Sequence, residues 1–257
     1  MNLIYRSNNV PVVLKLTFRA INPVKIFIKA EDCLRPNTKF TDRYATIHGT
    51  EDILIKMPIS PEVCKITIKN DKGNDYGFKL LSKEAKEVKT KMSVFDFGNA
   101  QIAKFIIFAL QFGQRAGYMS PGEYYNKTGE YVISYLPQIV SHETGAVLNT
   151  PARISASMGL VEVSKEKFDK FTIPGRIAIL LHEFCHVFAN KDVQSETEAD
   201  KNAATIYLAL GFPTIDLLNV FADIFYKADT PLNRKRMDLL IKYAMDFENN
   251  IFNVKYN

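Results

Sequence analysis

The strongest constraint on this chain is a change of hydrophobic period near residues 82–91. Before it, apolar residues alternate with polar ones. Val12, Leu14, Leu16 and Phe18 interleave with Val13, Lys15, Thr17 and Arg19, and Cys64, Ile66 and Ile68 interleave with Lys65, Thr67 and Lys69. A period of two marks half-buried strands. Shorter runs at Val24–Lys29, Ile53–Met57 and Phe78–Leu81 read the same way, and Asn22-Pro23, Arg35-Pro36-Asn37 and Asn70-Asp71-Lys72-Gly73 supply turns between them. Five to seven short strands predict an antiparallel β-sandwich over residues 1–90.

The segment Ser82–Lys91, SKEAKEVKTK, is charged and nearly free of large apolar residues, so it reads as the boundary. Beyond it a helix is expected from Ser93 to Gly117, then strand-like pieces at Glu130–Leu136 and Gly159–Val163. From Pro174 onward the pattern is helical. Pro174 suits the first turn of a helix running to about Asn190. Ser195 with Glu198 is a capping-box pattern for the next helix, which Gly211 and Pro213 close. Thr214 and Thr230-Pro231 open two more. The expected class is therefore α+β, with a β-sandwich at 1–90 and a second domain at 91–257.

Charge divides along the same line. Residues 1–90 hold 16 Lys and Arg against 10 Asp and Glu, whereas residues 91–257 hold 17 against 18. The surplus suits solvated strand faces or docking to an acidic assembly partner. No basic run or nucleic-acid motif predicts RNA or DNA binding. The longest apolar stretch, Ile102–Phe112, is too short to span a bilayer, and no signal peptide is visible, so a cytoplasmic or virion-associated protein is expected. Three scattered cysteines, Cys33, Cys64 and Cys185, argue against a disulfide framework.

The chemistry concentrates at His182-Glu183-Phe184-Cys185-His186, an HExxH pattern. Residues four apart on a helix share a face, so both imidazoles can reach one metal ion, with Glu183 beside the first. Zinc so held acidifies water, and Glu183 can then serve as general base and later as acid to the leaving amine. The apolar flanks make the helix largely buried, and a shared metal resolves the cost of burying two His and a Glu. A third ligand is needed. Asp192 and Glu196 are candidates, with Glu196 favoured if the next helix folds back antiparallel. Asp200, one turn on, could hold a ligand His by its other nitrogen. His142 and Tyr207 are candidates for stabilising an oxyanion, and Arg236 for pairing with a carboxylate near the metal. The expected function is zinc-dependent hydrolysis of peptide bonds in a peptide or protein substrate.

Glu196-Thr197-Glu198-Ala199-Asp200 resembles the ExxAD motif of HtpX-like and CAAX-prenyl-protease-like gluzincins. The resemblance implies a zincin-like metallopeptidase domain with Glu196 as third zinc ligand. Asn149-Thr150-Pro151-Ala152 followed by Met158–Val163 is similar to the family's NxxA and glycine-led edge strand, which pairs with the substrate backbone over the cleft. Thr230-Pro231 with Arg236-Met237 is similar to its HPxxxxRI segment, with Thr230 where the family has His. The family's transmembrane helices are absent, and compact versions of this kind are similar to zincin-like proteins of bacteriophages, including crAss-like phages. That likeness implies an alternative role, a structural component of a virion or tail with the zincin domain as scaffold and the basic β domain as its docking surface.

Overall fold

The computed structural model describes residues 1–35, 38–88, 100–155, 159–227 and 229–251, with side chains to residue 247. The chain is mixed α/β and divides between Met92 and Ser93 into two compact units.

The first unit is one antiparallel sheet of β1 (Asn2–Arg6), β2 (Val12–Asp32), β3 (Lys39–Met57), β4 (Val63–Asn70) and β5 (Lys79–Glu87). The expected short strands are partly fused. Val12–Arg19 and Val24–Lys29 belong to the single strand β2. Asn22-Pro23, read as a turn, lies in a bulge where Ile21-Asn22-Pro23 face only His48 of β3, between the pairs Ala20↔Gly49 and Val24↔Ile47. A bulge tolerates proline because its N–H is not needed in the ladder. Gly49, opposite, adopts φ +70, a conformation that glycine takes without strain.

β3 pairs along nearly all of β2, while β5 and β4 share the other side of β2, at its first and second halves respectively. The five strands therefore form one continuous sheet, where two facing sheets were expected. Even-numbered residues of β2 on either side of the bulge, Val12 to Ala20 and Ile26 to Ala30, are buried as the period predicts, while Asn22 and Val24 at the bulge are not. Ser82–Glu87, expected to be a linker, belongs to β5 and pairs with Val12–Thr17. Its charges suit a mostly exposed edge strand, where they deter further pairing. Lys89–Lys91 of that segment lie outside the described residues.

The second unit opens with α1 (Ala100–Arg115). The expected start at Ser93 lies outside the described residues. A sheet of order β6-β7-β9-β8 follows, from β6 (Gly122–Tyr125), β7 (Val132–Leu136), β8 (Ala152–Ile154) and β9 (Leu160–Ser164). β9 is parallel to β7 and antiparallel to β8. The helices are α2 (Lys165–Phe168), α3 (Ile173–Phe188), α4 (Glu196–Ala209), α5 (Thr214–Lys227) and α6 (Pro231–Ile251). No helix among the described residues is long and apolar enough to cross a membrane.

α3 is the central element of this unit. Thr172 caps it, its hydroxyl accepting from the Gly175 N–H, and Pro174 sits in the first turn. Ile173–Leu181 are buried without interruption, and Phe184 stacks on Phe105 of α1 at a centroid distance of 5.5 Å. α3 also contacts α4, α5 and β8. A helix clamped on these sides holds its own side chains in fixed positions, which is what a metal site requires.

Candidate metal centre and cleft

α3 carries His182, Glu183 and His186, and α4 returns beside it carrying Glu196 and Asp200. The reversal is built by local polar contacts. Ser195 caps α4 by accepting from the Glu198 N–H. Glu198 completes only half of the expected capping box, because its carboxylate turns back to accept from the N–H groups of Lys191 and Asp192. Asn190 ties the ends together, donating to the Ser195 carbonyl and accepting from Asn202. The small buried residues Ala199, Ala203 and Ala204 let α4 lie close to α3.

This reversal brings three ligand atoms to one point. His182 Nε2 and His186 Nε2 are 3.2 Å apart. Glu196 places Oε2 3.4 Å from His182 Nε2 and Oε1 3.7 Å from His186 Nε2. Ligands about 2.0–2.1 Å from one tetrahedral zinc lie about 3.3–3.4 Å from each other. One ligand atom from each residue lies within 4.8 Å of the other two, a grouping that could hold a single metal ion. The two His side chains are 12% and 9% exposed and that of Glu196 is 47%, so the site opens on the glutamate side.

The imidazoles are oriented from behind. His186 Nδ1–H donates to the Val193 carbonyl at 2.8 Å, leaving Nε2 as the acceptor that faces the cluster. Asp200 Oδ1 approaches His182 Nδ1 to 3.1 Å, although off the line of the ring N–H. Arg236 of α6 grips Asp200 with two bonds of 2.7 and 2.8 Å and reaches Glu196 Oε2 at 2.9 Å. Its guanidinium lies over the Phe225 ring, and the His182 ring meets the edge of Phe221. Oriented backs and converging front nitrogens are how metal-binding histidines are usually held.

Electrostatics follow from this crowding. Burial disfavours a charged His182, but Asp200 and Glu196 outweigh it and push its pKa up to about 10. His182 and then His186 hold the Glu196 carboxylate far below the usual range, against desolvation. Burial also raises the Asp200 carboxyl, yet His182 and Arg236 bring it below its ordinary value. Glu183 moves the other way. Its burial dominates and raises it, with Glu196 adding, while the two histidines and an N–H bond from Ile154 oppose. The metal-free cluster is thus a pair of protonatable imidazoles facing carboxylates, ready to exchange protons for a cation.

A cleft of about 480 Å³ lies over the cluster, lined among others by Ala152, Arg153, Ile154, Ile179, Glu183 and Phe221. Its β wall is β8. The glycine-led strand β9, expected at the edge, is internal, because β7 and β8 flank it. β8 lacks a second partner strand among the described residues. Ser164 donates to Pro151, and Ser155 to Leu160, so backbone groups of residues 151 and 155 point towards β9. By alternation those of Ala152 and Ile154 point away from it. The Thr150 hydroxyl, which donates to the Ala152 carbonyl, agrees.

Of the residues singled out from sequence, His182, Glu183, His186, Glu196, Asp200 and Arg236 come together. Asp192 does not join the cluster, and its carboxylate instead accepts from the Gln194 N–H. His142 is 79% exposed, 3.8 Å from Glu162, and does not line the cleft. Tyr207 is fully buried, stacked on Phe212, and also does not line it. Thr230 caps α6 by accepting from the Asn233 N–H. Sequence reasoning missed the Val193 carbonyl, the Ile154 N–H and the Phe221 edge. The first two are backbone groups and leave no trace in residue identity. Phe221 had a signal, since it recurs with Leu217 and Phe225 on one face of α5. No family model, curated protein or solved structure matches the chain.

Proposed function

We propose that the second unit is a zinc metallopeptidase of the gluzincin type, with His182, His186 and Glu196 holding the metal and Glu183 acting as general base and acid. The observation that carries this reading is the convergence of three ligand atoms within 4.8 Å of one another at a cleft that Glu183 also lines. A three-residue ligand set that leaves a position open is the pattern of a catalytic zinc, whereas structural zinc sites close with four.

Zinc supplies Lewis acidity there, acidifying water and polarising a carbonyl. The chain's own residues do the rest. Glu183, which lines the cleft beside the two histidines, is the group positioned to take a proton from water and deliver it to the departing amine. Its raised affinity for protons suits it to hold one between those two events. Asp200 and the Val193 carbonyl keep the Nε2 atoms aimed at the cluster. Arg236 keeps Glu196 and Asp200 from repelling each other. The outward backbone groups of β8 other than the Ala152 carbonyl, which the Thr150 hydroxyl already engages, offer an extended peptide a strand to pair with, holding the scissile bond over the cluster. The apolar side chains of Ile179, Phe221, Ile224 and Phe225 also line the cleft and suit an apolar substrate side chain.

The test is zinc content and peptide cleavage for the wild type and for Glu183→Gln. The reading expects about one zinc per chain in both and cleavage only in the wild type. Wild-type protein that binds zinc yet cleaves nothing in a broad peptide library would overturn the assignment of activity.

A further inference from the structure

The first unit carries a surface that the linear sequence hides. Directly opposed residues of neighbouring strands share a face. One row across β3, β2 and β4 reads Tyr44, Phe27, Lys69. The next row towards the bulge reads Thr46, Lys25. On the other side come Asp42, Lys29, Thr67 and Asn2, then Lys39, Glu31, Lys65 and Ile4, the last of each from β1. Ile26, Ile28 and Ala30, between these residues along β2, point into the core. The rows therefore form the outer face of this half of the sheet.

Two lysines on it are neutralised, Lys29 by Glu31 and Lys39 by Asp42. Among the described residues Lys25, Lys65 and Lys69 have no carboxylate partner. At the centre sit two aromatic rings, Phe27 and Tyr44, 5.2 Å apart, with Tyr44 58% exposed. The ammonium of Lys25 lies 4.7 Å from the Tyr44 centroid and that of Lys69 5.5 Å from the Phe27 centroid. These cations hold the ring faces when nothing else does.

We propose that this face binds single-stranded nucleic acid, with bases stacking on Tyr44 and Phe27 and the backbone phosphates on Lys25, Lys65 and Lys69. Flat unsaturated rings and a repeating negative charge in one polymer match both sets of groups. An acidic peptide matches only the lysines and leaves the exposed ring pair without a role. Aromatic side chains flanked by cations on an open sheet face form a stacking platform with an electrostatic rim. An incoming base displaces Lys25 and Lys69 sideways from the rings, towards the phosphates on either side. The exclusion drawn from the sequence rested on the lack of a basic run. Here the lysines come from separate strands and gather only when β2 and β4 pair. The inference is independent of the metal centre.

The test uses the full chain and a fluorescent oligothymidylate of about twenty nucleotides, read by anisotropy between about 50 and 200 mM salt. Binding is expected to weaken with salt. Tyr44→Ala should weaken it about five- to hundredfold, whereas Tyr44→Phe should keep it. Lys25→Gln with Lys69→Gln should lower the salt slope by about 1.4, two phosphates' worth. Tyr44 lies on the surface, and thermal unfolding of each variant checks that the sheet is intact. No binding, binding indifferent to Tyr44→Ala in a folded variant, or equal affinity for a duplex of the same length overturns the proposal. Equally tight binding of polyglutamate also overturns it, and assigns the face to an acidic protein instead.

Discussion

Asp200→Asn separates the supporting charges of the proposed metal centre from its ligands. Asp200 is 3% exposed and touches both His182 Nδ1 and the Arg236 fork. Asparagine keeps the shape but removes the charge. Arg236 is not orphaned, because Glu196 remains 2.9 Å away, so the metal-free protein loses less than the roughly 3–5 kcal/mol of a fully broken buried pair. About 2 kcal/mol is expected, or about 4–8 °C in Tm for a unit of this size. The larger consequence is for the metal. A ligand histidine without its rear partner loses about 10–100-fold in affinity, or about 1.4–2.8 kcal/mol. The assay is competition for zinc against a chromophoric chelator, with circular dichroism and thermal unfolding of the metal-free variant as controls. A folded Asp200→Asn protein whose zinc affinity stays within about twofold of wild type would refute the argument that Asp200 holds His182 for the metal.

Four further outcomes follow from the same contacts. Without metal, the folded His182 pKa of about 10 lies above its unfolded value near 6.5, so its contribution is full below about pH 6.5 and is lost as pH rises through about 10. Urea unfolding of the chelated protein should show that decline, whereas zinc affinity rises over the same window as protons leave the ligands. Asp200 has the opposite sign: its lowered pKa stabilises above about pH 4 and the benefit fades as pH falls further, a loss that acid titration should find missing in Asp200→Asn. Glu198→Ala frees the loop that presents the Val193 carbonyl to His186, and chelator competition should show zinc affinity falling several-fold with little change in folding. Gly159→Ala should lower Tm, because φ there is +62 and an added Cβ would meet Phe188 at 3.0 Å; a cost of about 1–3 kcal/mol is expected by differential scanning calorimetry.

What was legible in the sequence was whatever side-chain identity and spacing encode. The pairing of His182 with His186 follows from helical pitch, and Glu196 from a short reversal stopped by Ser195. Glu196 was preferred over Asp192 on the assumption that α4 folds back, and the geometry brings Glu196 to the histidines while Asp192 turns to the loop's own backbone. Strand extent was less legible. Asn22-Pro23 signals a chain reversal when read locally, but opposite His48 and Gly49 it becomes a bulge inside one long strand. The charged segment Ser82–Glu87 reads as a linker until β2 offers it a ladder. Sheet order was not legible at all. That β8 and not β9 forms the cleft edge depends on β7 and β9 pairing in parallel across a long connection.

The uneven exposure of the three ligands sets an order of events. His182 and His186 stand one turn apart on a single helix with their Nε2 atoms 3.2 Å apart, so the two imidazoles are already gathered. Glu196 begins a different helix and has nearly half its side chain in water. On the proposed zinc reading, an ion would dock on the imidazoles first, be latched by the carboxylate second, and depart in reverse. Residence time at such a site would then follow how often the latch opens. Arg236, 2.9 Å from that carboxylate, would compete with the ion for it. Changes at Arg236 should then register in the rate of zinc loss more than in the number of zinc ions held.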